Sequence, residues 1–242
     1  ANAVAPLLVS TRQGMGKSTF CKLLMPESLA NYYTDSFDLN SPAGCEQKLS
    51  LFGLINLDEY DKLSSTKLPL LKNLMQMTAL HYRKAHRVQY SHLPRMASFI
   101  GTSNRKELLN DPTGSRRFLC MEVEKPIDCS PIDYPQLYAQ LKWELESGKR
   151  YWLSKEEERE IQEHNQDFYK QSTEEEVFFK VFRLPKEGEP FVRMTASSIF
   201  DLLQKRYPAL MRSANVRQFG KVLCLTCIKK AQAIAALEAH EG

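Results

Sequence analysis

The chain has 242 residues, 43% hydrophobic and 26% charged, which suits a soluble globular protein of one large domain or a medium and a small one. No stretch approaches the ~18 consecutive apolar residues of a membrane span, and the start lacks a basic n-region, so no signal peptide is expected. The net charge of +4 is unevenly spread: residues 1–150 carry 19 Lys+Arg against 15 Asp+Glu, residues 151–189 carry 6 against 11, and residues 190–242 carry 8 against 3.

The first 125 residues alternate short apolar runs with helical stretches, as a parallel α/β sheet requires. The apolar runs predict strands at 7–10, 32–37, 53–58, 97–102 and 118–123, with helices at 17–24, 44–51 and 67–82. Three prolines (Pro126, Pro131, Pro135) punctuate a loop before an amphipathic helix around 136–146, which Gly148 ends. A highly charged helix is expected over 154–171, and Ser172 or Thr173 resembles a capping box opening another. This acidic stretch, 151–189, reads as a connector between an α/β domain at 1–150 and a basic module at 190–242. In that module Thr195 or Ser197 caps a helix through Gln204, Tyr207-Pro208 breaks it, and a second helix runs from about 215 to 225. Two such helices around a turn fit a helix-turn-helix or winged helix. Beyond residue 230 the chain turns Ala-rich and reads as helix, where a β wing would be expected. Six cysteines are scattered through the chain, as in a cytoplasmic protein with reduced thiols. Cys224 and Cys227 form a lone C-x-x-C with no second pair, which is weak for zinc.

The first chemical signal follows the first strand: Gly14-Met15-Gly16-Lys17-Ser18-Thr19, a glycine-bearing turn and a lysine-hydroxyl pair opening a helix. Converging N–H groups there cradle a phosphate, Lys17 adds a charge for the β and γ phosphates, and Ser18 offers an oxygen to Mg²⁺. Thr11 stands where a loop glycine is usual. The bland alternative is a solvated turn capping a helix. Next, a mostly apolar strand delivers Asp58-Glu59 at its C-terminal end, where Asp58 would hold the metal and Glu59 would polarise the attacking water. Asn104, ending the strand that holds Ser103, would position that water beside the γ-phosphate. Arg116-Arg117, on a loop entering a strand, suit a neighbouring subunit's γ-phosphate, one acting in trans and the other structural. Residues 81–92 interleave basic and aromatic side chains, a composition that grips phosphate backbones and stacks bases.

Taken in this order, the loop, the Asp-Glu strand, Asn104 and Gly114-Ser115-Arg116-Arg117-Phe118 resemble the virulence-associated protein E (VirE) family. Those are ATPases of mobile elements and phages, related to superfamily 3 helicases and the AAA+ fold. The resemblance covers roughly residues 6–125, and its most specific part runs from Leu93 to Phe118. It implies an AAA+-like P-loop sheet with a small winged-helix-like C-terminal domain. It also implies ATP and Mg²⁺ as cofactors, a homo-oligomer in the form of a hexamer, and a pore hairpin in the basic segment. By that similarity Lys84, His86 and Arg87 are expected to touch single-stranded DNA. Arg217 and Lys221 lie in a stretch, 216–223, that is similar to a C-terminal module of Bacteroides-type mobile-element members, and they are expected to meet duplex DNA. The expected function is a DNA helicase or remodelling ATPase of a mobile element. The alternative is a nucleotide-gated DNA-binding adaptor that regulates transposition without unwinding.

Overall fold

The computed structural model describes residues 3–82, 91–109, 115–183, 189–190, 192, 194–212, 214–217, 219–220, 223 and 236–237. They fall into two compact units, 1–169 and 170–242.

The first unit is built on a five-stranded parallel sheet. Its strands are β1 (Ala5–Val9), β2 (Tyr33–Thr34), β3 (Leu54–Leu57), β6 (Ser98–Ser103) and β7 (Phe118–Glu122), in the spatial order β2-β3-β6-β1-β7. Strand alternation sorts the core. Leu7, Val9, Ile55, Leu57, Phe99, Phe118 and Cys120 face one large apolar cluster, whereas Leu8 and Ile100 face Cys21 on α1 (Lys17–Leu23). A parallel sheet is buried on both faces, and these near-continuous apolar runs meet that demand. Gly101 is required where it stands. A Cβ there would lie 2.6 Å from Leu7 Cδ2 and 3.0 Å from the Leu57 carbonyl.

The remaining helices of this unit are α2 (Pro42–Leu51), α3 (Leu68–Gln76), α4 (Tyr134–Glu146) and α5 (Lys155–His164). The helix expected over 67–82 stops at Gln76. Residues Ala79–Tyr82 form β4, which pairs antiparallel with β5 (Ser91–Pro94), Ala79 opposite Pro94 and Tyr82 opposite Ser91. Buried Arg95 secures the base of this pair. Its guanidinium donates to the carbonyls of Ala97 (2.8 Å), Met75 and Met77, the last at 3.3 Å. Burial pulls its pKa down to about 10.

The acidic stretch is shared between the two units, which meet at 169/170 within the expected connector. The reason lies at the sheet edge. Asn165, completely buried, accepts the Cys120 N–H at 3.1 Å and donates to the carbonyls of Ser115 (3.1 Å) and Phe118 (2.6 Å). The end of α5 therefore satisfies the outer backbone of β7 in place of a sixth strand.

In the second unit α6 (Thr173–Val181) opens on a capping box between Ser172 and Glu175, and α7 (Ala196–Arg206) opens on Thr195. Residues 216–217, 219–220 and 223 are helical. These elements share a separate core with Phe178 at its centre, its ring 5.2 Å from Phe182 and 6.2 Å from Phe219. Of the Ala-rich tail expected to be helical, Ala236–Leu237 is instead a strand, β9, antiparallel to β8 (Phe182–Arg183). Pairing with a neighbouring backbone outweighs the helix propensity of alanine here.

Candidate functional site

The strands of a parallel sheet all end at one edge, and β1, β3 and β6 deliver their following residues to the same cavity. That cavity, about 280 Å³, is lined by residues 13–19, Asp58, Glu59, Thr102 and Asn104. The register explains the meeting. Leu57 pairs with Gly101, so Asp58 comes level with Thr102, while Val9 pairs with Ser103 and brings the 10–16 loop beside Asn104.

The loop between β1 and α1 turns through two left-handed glycines, Gly14 (φ 74°) and Gly16 (φ 81°). A Cβ on Gly14 would meet nothing within 4 Å, so its backbone lies open to the cavity. Gly16 is tighter, since a Cβ there would lie 3.2 Å from Cys129 Sγ and 3.3 Å from the Ile127 carbonyl. The Ile127 N–H also donates to the Met15 carbonyl at 3.0 Å, fixing the loop from behind. Gly16 is the N-cap of α1 and supplies no side-chain cap, which leaves first-turn N–H groups of that helix for an anion. Exposed Thr11, the departure from the glycine pattern, sits away from these turns at the start of the loop.

Lys17 is 7% exposed, and its ammonium donates to the Ser10 carbonyl (3.3 Å) and to Asn104 Oδ1 (3.0 Å). Burial pushes its pKa below the ordinary 10.5, and the charges of Asp61 and Asp58 pull it back up. Asp58 Oδ1 receives two hydroxyls, Ser18 Oγ at 2.8 Å and Thr102 Oγ1 at 2.6 Å. Glu59 adopts a left-handed backbone (φ 51°), a conformation that non-glycine residues seldom take. Its N–H donates to Thr102 Oγ1 (3.2 Å), and its carboxylate pairs with Lys62 at 2.7 Å. Thr19, also on the cavity wall, is exposed.

Two residues unnoticed in the sequence complete the site. Thr102 links Asp58 to the Glu59 backbone, and Asp61 accepts from Ser103 Oγ and the Asn104 N–H, both at 3.1 Å. Thr102 lies within the strand that leads to Asn104, but neither residue's role is written in a linear motif, since both act through pairing across strand ends. The tandem arginines lie elsewhere. Arg116 pairs with Glu158 of α5 at 3.1 Å, Arg117 is half-buried, and neither lines the cavity. Exposed Arg217 lies in the second unit, its N–H donating to Asn215 Oδ1 at 2.9 Å. Lys84, His86, Arg87 and Lys221 lie outside the described residues, as do residues 110–114.

The donor set fits Mg²⁺. Ser18 and Asp58 are hard oxygen donors held together, and Mg²⁺ is usually bound through one or two carboxylates, with waters and phosphate oxygens completing the octahedron. Among the described residues no three His, Cys, Asp or Glu side chains gather into a self-sufficient metal cage.

Sheet and site together define a parallel α/β domain whose strand ends gather an ammonium, hydroxyls, carboxylates and an amide around one cleft. The chain belongs to the virulence-associated protein E-like domain family, whose model matches residues 3–170. Residues 171–233 match a family described as a domain of unknown function from a B. theta gene. No curated protein matches the chain. Three solved apo structures of the NrS-1 C-terminal region are similar to it at 18% identity, with TM-scores of 0.36, 0.39 and 0.37. Each alignment covers 69% of this chain and 34–36% of that one, so the chain spans about a third of their length. No helix among the described residues is long and apolar enough to cross a membrane.

Proposed function

We propose that the first unit is a P-loop ATPase of the AAA+ type serving DNA processing in a mobile genetic element, and that the second unit is a winged-helix-like DNA-binding module. The observation that carries this reading is the convergence of Lys17, Ser18, Asp58, Glu59 and Asn104 on one cavity from three adjacent strand ends. The strand order β2-β3-β6-β1-β7, with the glycine loop after β1, which lies between β6 and β7, supports it. So do the two left-handed glycines, which let the backbone approach an anion.

In this reading the 13–19 loop binds the phosphates of ATP, and Lys17 faces the β and γ groups. Ser18 and Asp58 hold Mg²⁺, which would neutralise charge developing on the phosphates. Glu59 leaves its ion pair with Lys62 and takes a proton from the attacking water. That pair is solvent-exposed, so breaking it costs little. Asn104 hands its oxygen from the Lys17 ammonium to the lytic water. Arg116 or Arg117 serves the γ-phosphate of the neighbouring subunit in a ring, and their distance from their own chain's cavity suits action in trans. The antiparallel β4–β5 pair flanks the basic segment 83–90 and so suits a DNA-contacting hairpin.

ATP turnover of wild type, Lys17→Ala and Glu59→Gln, each with and without single-stranded DNA, tests the reading. Wild type is expected to hydrolyse ATP, faster with DNA. Each variant should lose at least about 10²-fold, with Glu59→Gln still binding nucleotide. Hydrolysis without DNA stimulation or ATP-dependent assembly would remove the helicase and leave a nucleotide-gated adaptor.

A further inference from the structure

The short turn after Glu59, residues Tyr60–Lys62, carries a carboxylate with no assigned task in phosphoryl transfer. The Asp61 side chain is 7% exposed, deep for a charged group at a strand-end turn. Oδ1 accepts the Ser103 hydroxyl and the Asn104 N–H, and Oδ2 lies 3.7 Å from Arg105 Nε. Three consecutive residues at the end of β6 are thus gathered by one carboxylate. Tyr60 in the same turn is buried, with its ring 4.9 Å from that of Phe118 at the start of β7. Asn104, held through its backbone by Asp61, holds the Lys17 ammonium through its side chain at 3.0 Å. Asp61 is also the leading charge that opposes the burial of that ammonium.

We propose that Asp61 is a positioning residue that couples the Asn104 turn to the Glu59 turn, so that engagement of a terminal phosphate by Asn104 is transmitted to the water-activating carboxylate. This rests on the ATPase reading above. The path is short. From Asn104 it passes through one hydrogen bond to Asp61, and from there along two peptide units to Glu59, whose left-handed backbone is held by Thr102. Displacement of the Asn104 turn therefore moves a segment with little slack. The coupling should matter for ATP, which has a γ-phosphate for Asn104 to meet, and not for ADP.

The experiment compares wild type, Asp61→Ala, Asp61→Asn, Ser103→Ala and Lys17→Ala for ATP kcat and KM, with ADP affinity measured by calorimetry. Asp61→Ala is expected to lose about 10–10²-fold in kcat, the scale set by sub-ångström misplacement of reacting groups, with ADP affinity and binding stoichiometry unchanged. Asp61→Asn keeps an acceptor for the Asn104 N–H and should recover part of the loss. A purely structural role would instead lower the ADP-competent fraction and kcat together. Wild-type kcat in Asp61→Ala overturns the proposal. Should that variant fail to fold, Ser103→Ala decides, with a several-fold loss of kcat at constant ADP affinity expected and no loss overturning it. If wild type turns over no more ATP than Lys17→Ala, the ATPase reading itself fails and takes the coupling with it.

Discussion

Burial lowers the pKa of the Lys17 ammonium, and this gives the site a pH signature. Its pKa sits below the ordinary 10.5, so the folded protein holds this proton less tightly than the unfolded chain does. The charged lysine thus costs stability below the folded pKa, and the cost disappears as pH rises through the ordinary value. A bound polyphosphate would push the pKa back up. Nucleotide affinity should therefore fall as pH rises through the depressed pKa. In that window binding should take up a proton. Calorimetric titration with ADP in two buffers of different ionisation enthalpy measures it, and identical heats would contradict the assignment of Lys17 to phosphate. At this scale the sequence was informative where chemistry is written locally. Gly14 to Thr19 and Asp58-Glu59 are contiguous runs, and residues of both line one cavity. Thr102 and Asp61 were silent because their roles arise from Leu57 pairing with Gly101, a register that no single segment encodes.

Secondary elements were legible to the extent that their patterns were local. The five sheet strands lie where apolar runs predicted, β2 far shorter than expected, and the Ser172 and Thr195 caps open their helices. The helix expected to reach residue 82 ended early because Leu80 packs as a strand residue in the main core, its backbone paired with Leu93. Likewise α5 read as a solvated acidic connector, since its charge pattern hides the few residues that matter: Ile161, Asn165 and Phe168 are buried. Asn165 is the sharpest of these, because one side chain satisfies a donor and an acceptor on β7 and the Ser115 carbonyl in the turn before it. In Asn165→Ala the buried Cys120 N–H loses its partner, and an unsatisfied buried group costs about 1–3 kcal/mol, with the two carbonyls adding to it. Urea denaturation should show the unfolding free energy of the first unit lowered by that amount or more, with a correspondingly lower midpoint. Asn165→Asp, which keeps the acceptor and reverses the donor, should be at least as damaging. An unchanged midpoint in both would mean that α5 does not close the sheet edge.

At the scale of the whole molecule the two units have separate cores. Leu7, Phe99 and Phe118 belong to one, and Phe178, Leu203, Met211 and Phe219 to the other, with no residue shared. Each family match also ends or begins at the same place, 170 against 171. Separate cores favour separate unfolding, because cooperativity travels through packed contacts and a domain with its own core folds as its own unit. Leu203 is completely buried among the α7 and α6 aromatics, so Leu203→Ala removes packing from the second core alone. The expected cost is about 2–5 kcal/mol, large for a unit of this size. Thermal unfolding followed by calorimetry should show two transitions in the wild type and a shift of only one in the variant. ADP binding at the first unit should persist on the plateau where the second has melted. A single transition that shifts as a whole would mean that the units unfold as one cooperative body, and that the proposed nucleotide site in the first is thermodynamically linked to the fold of the second.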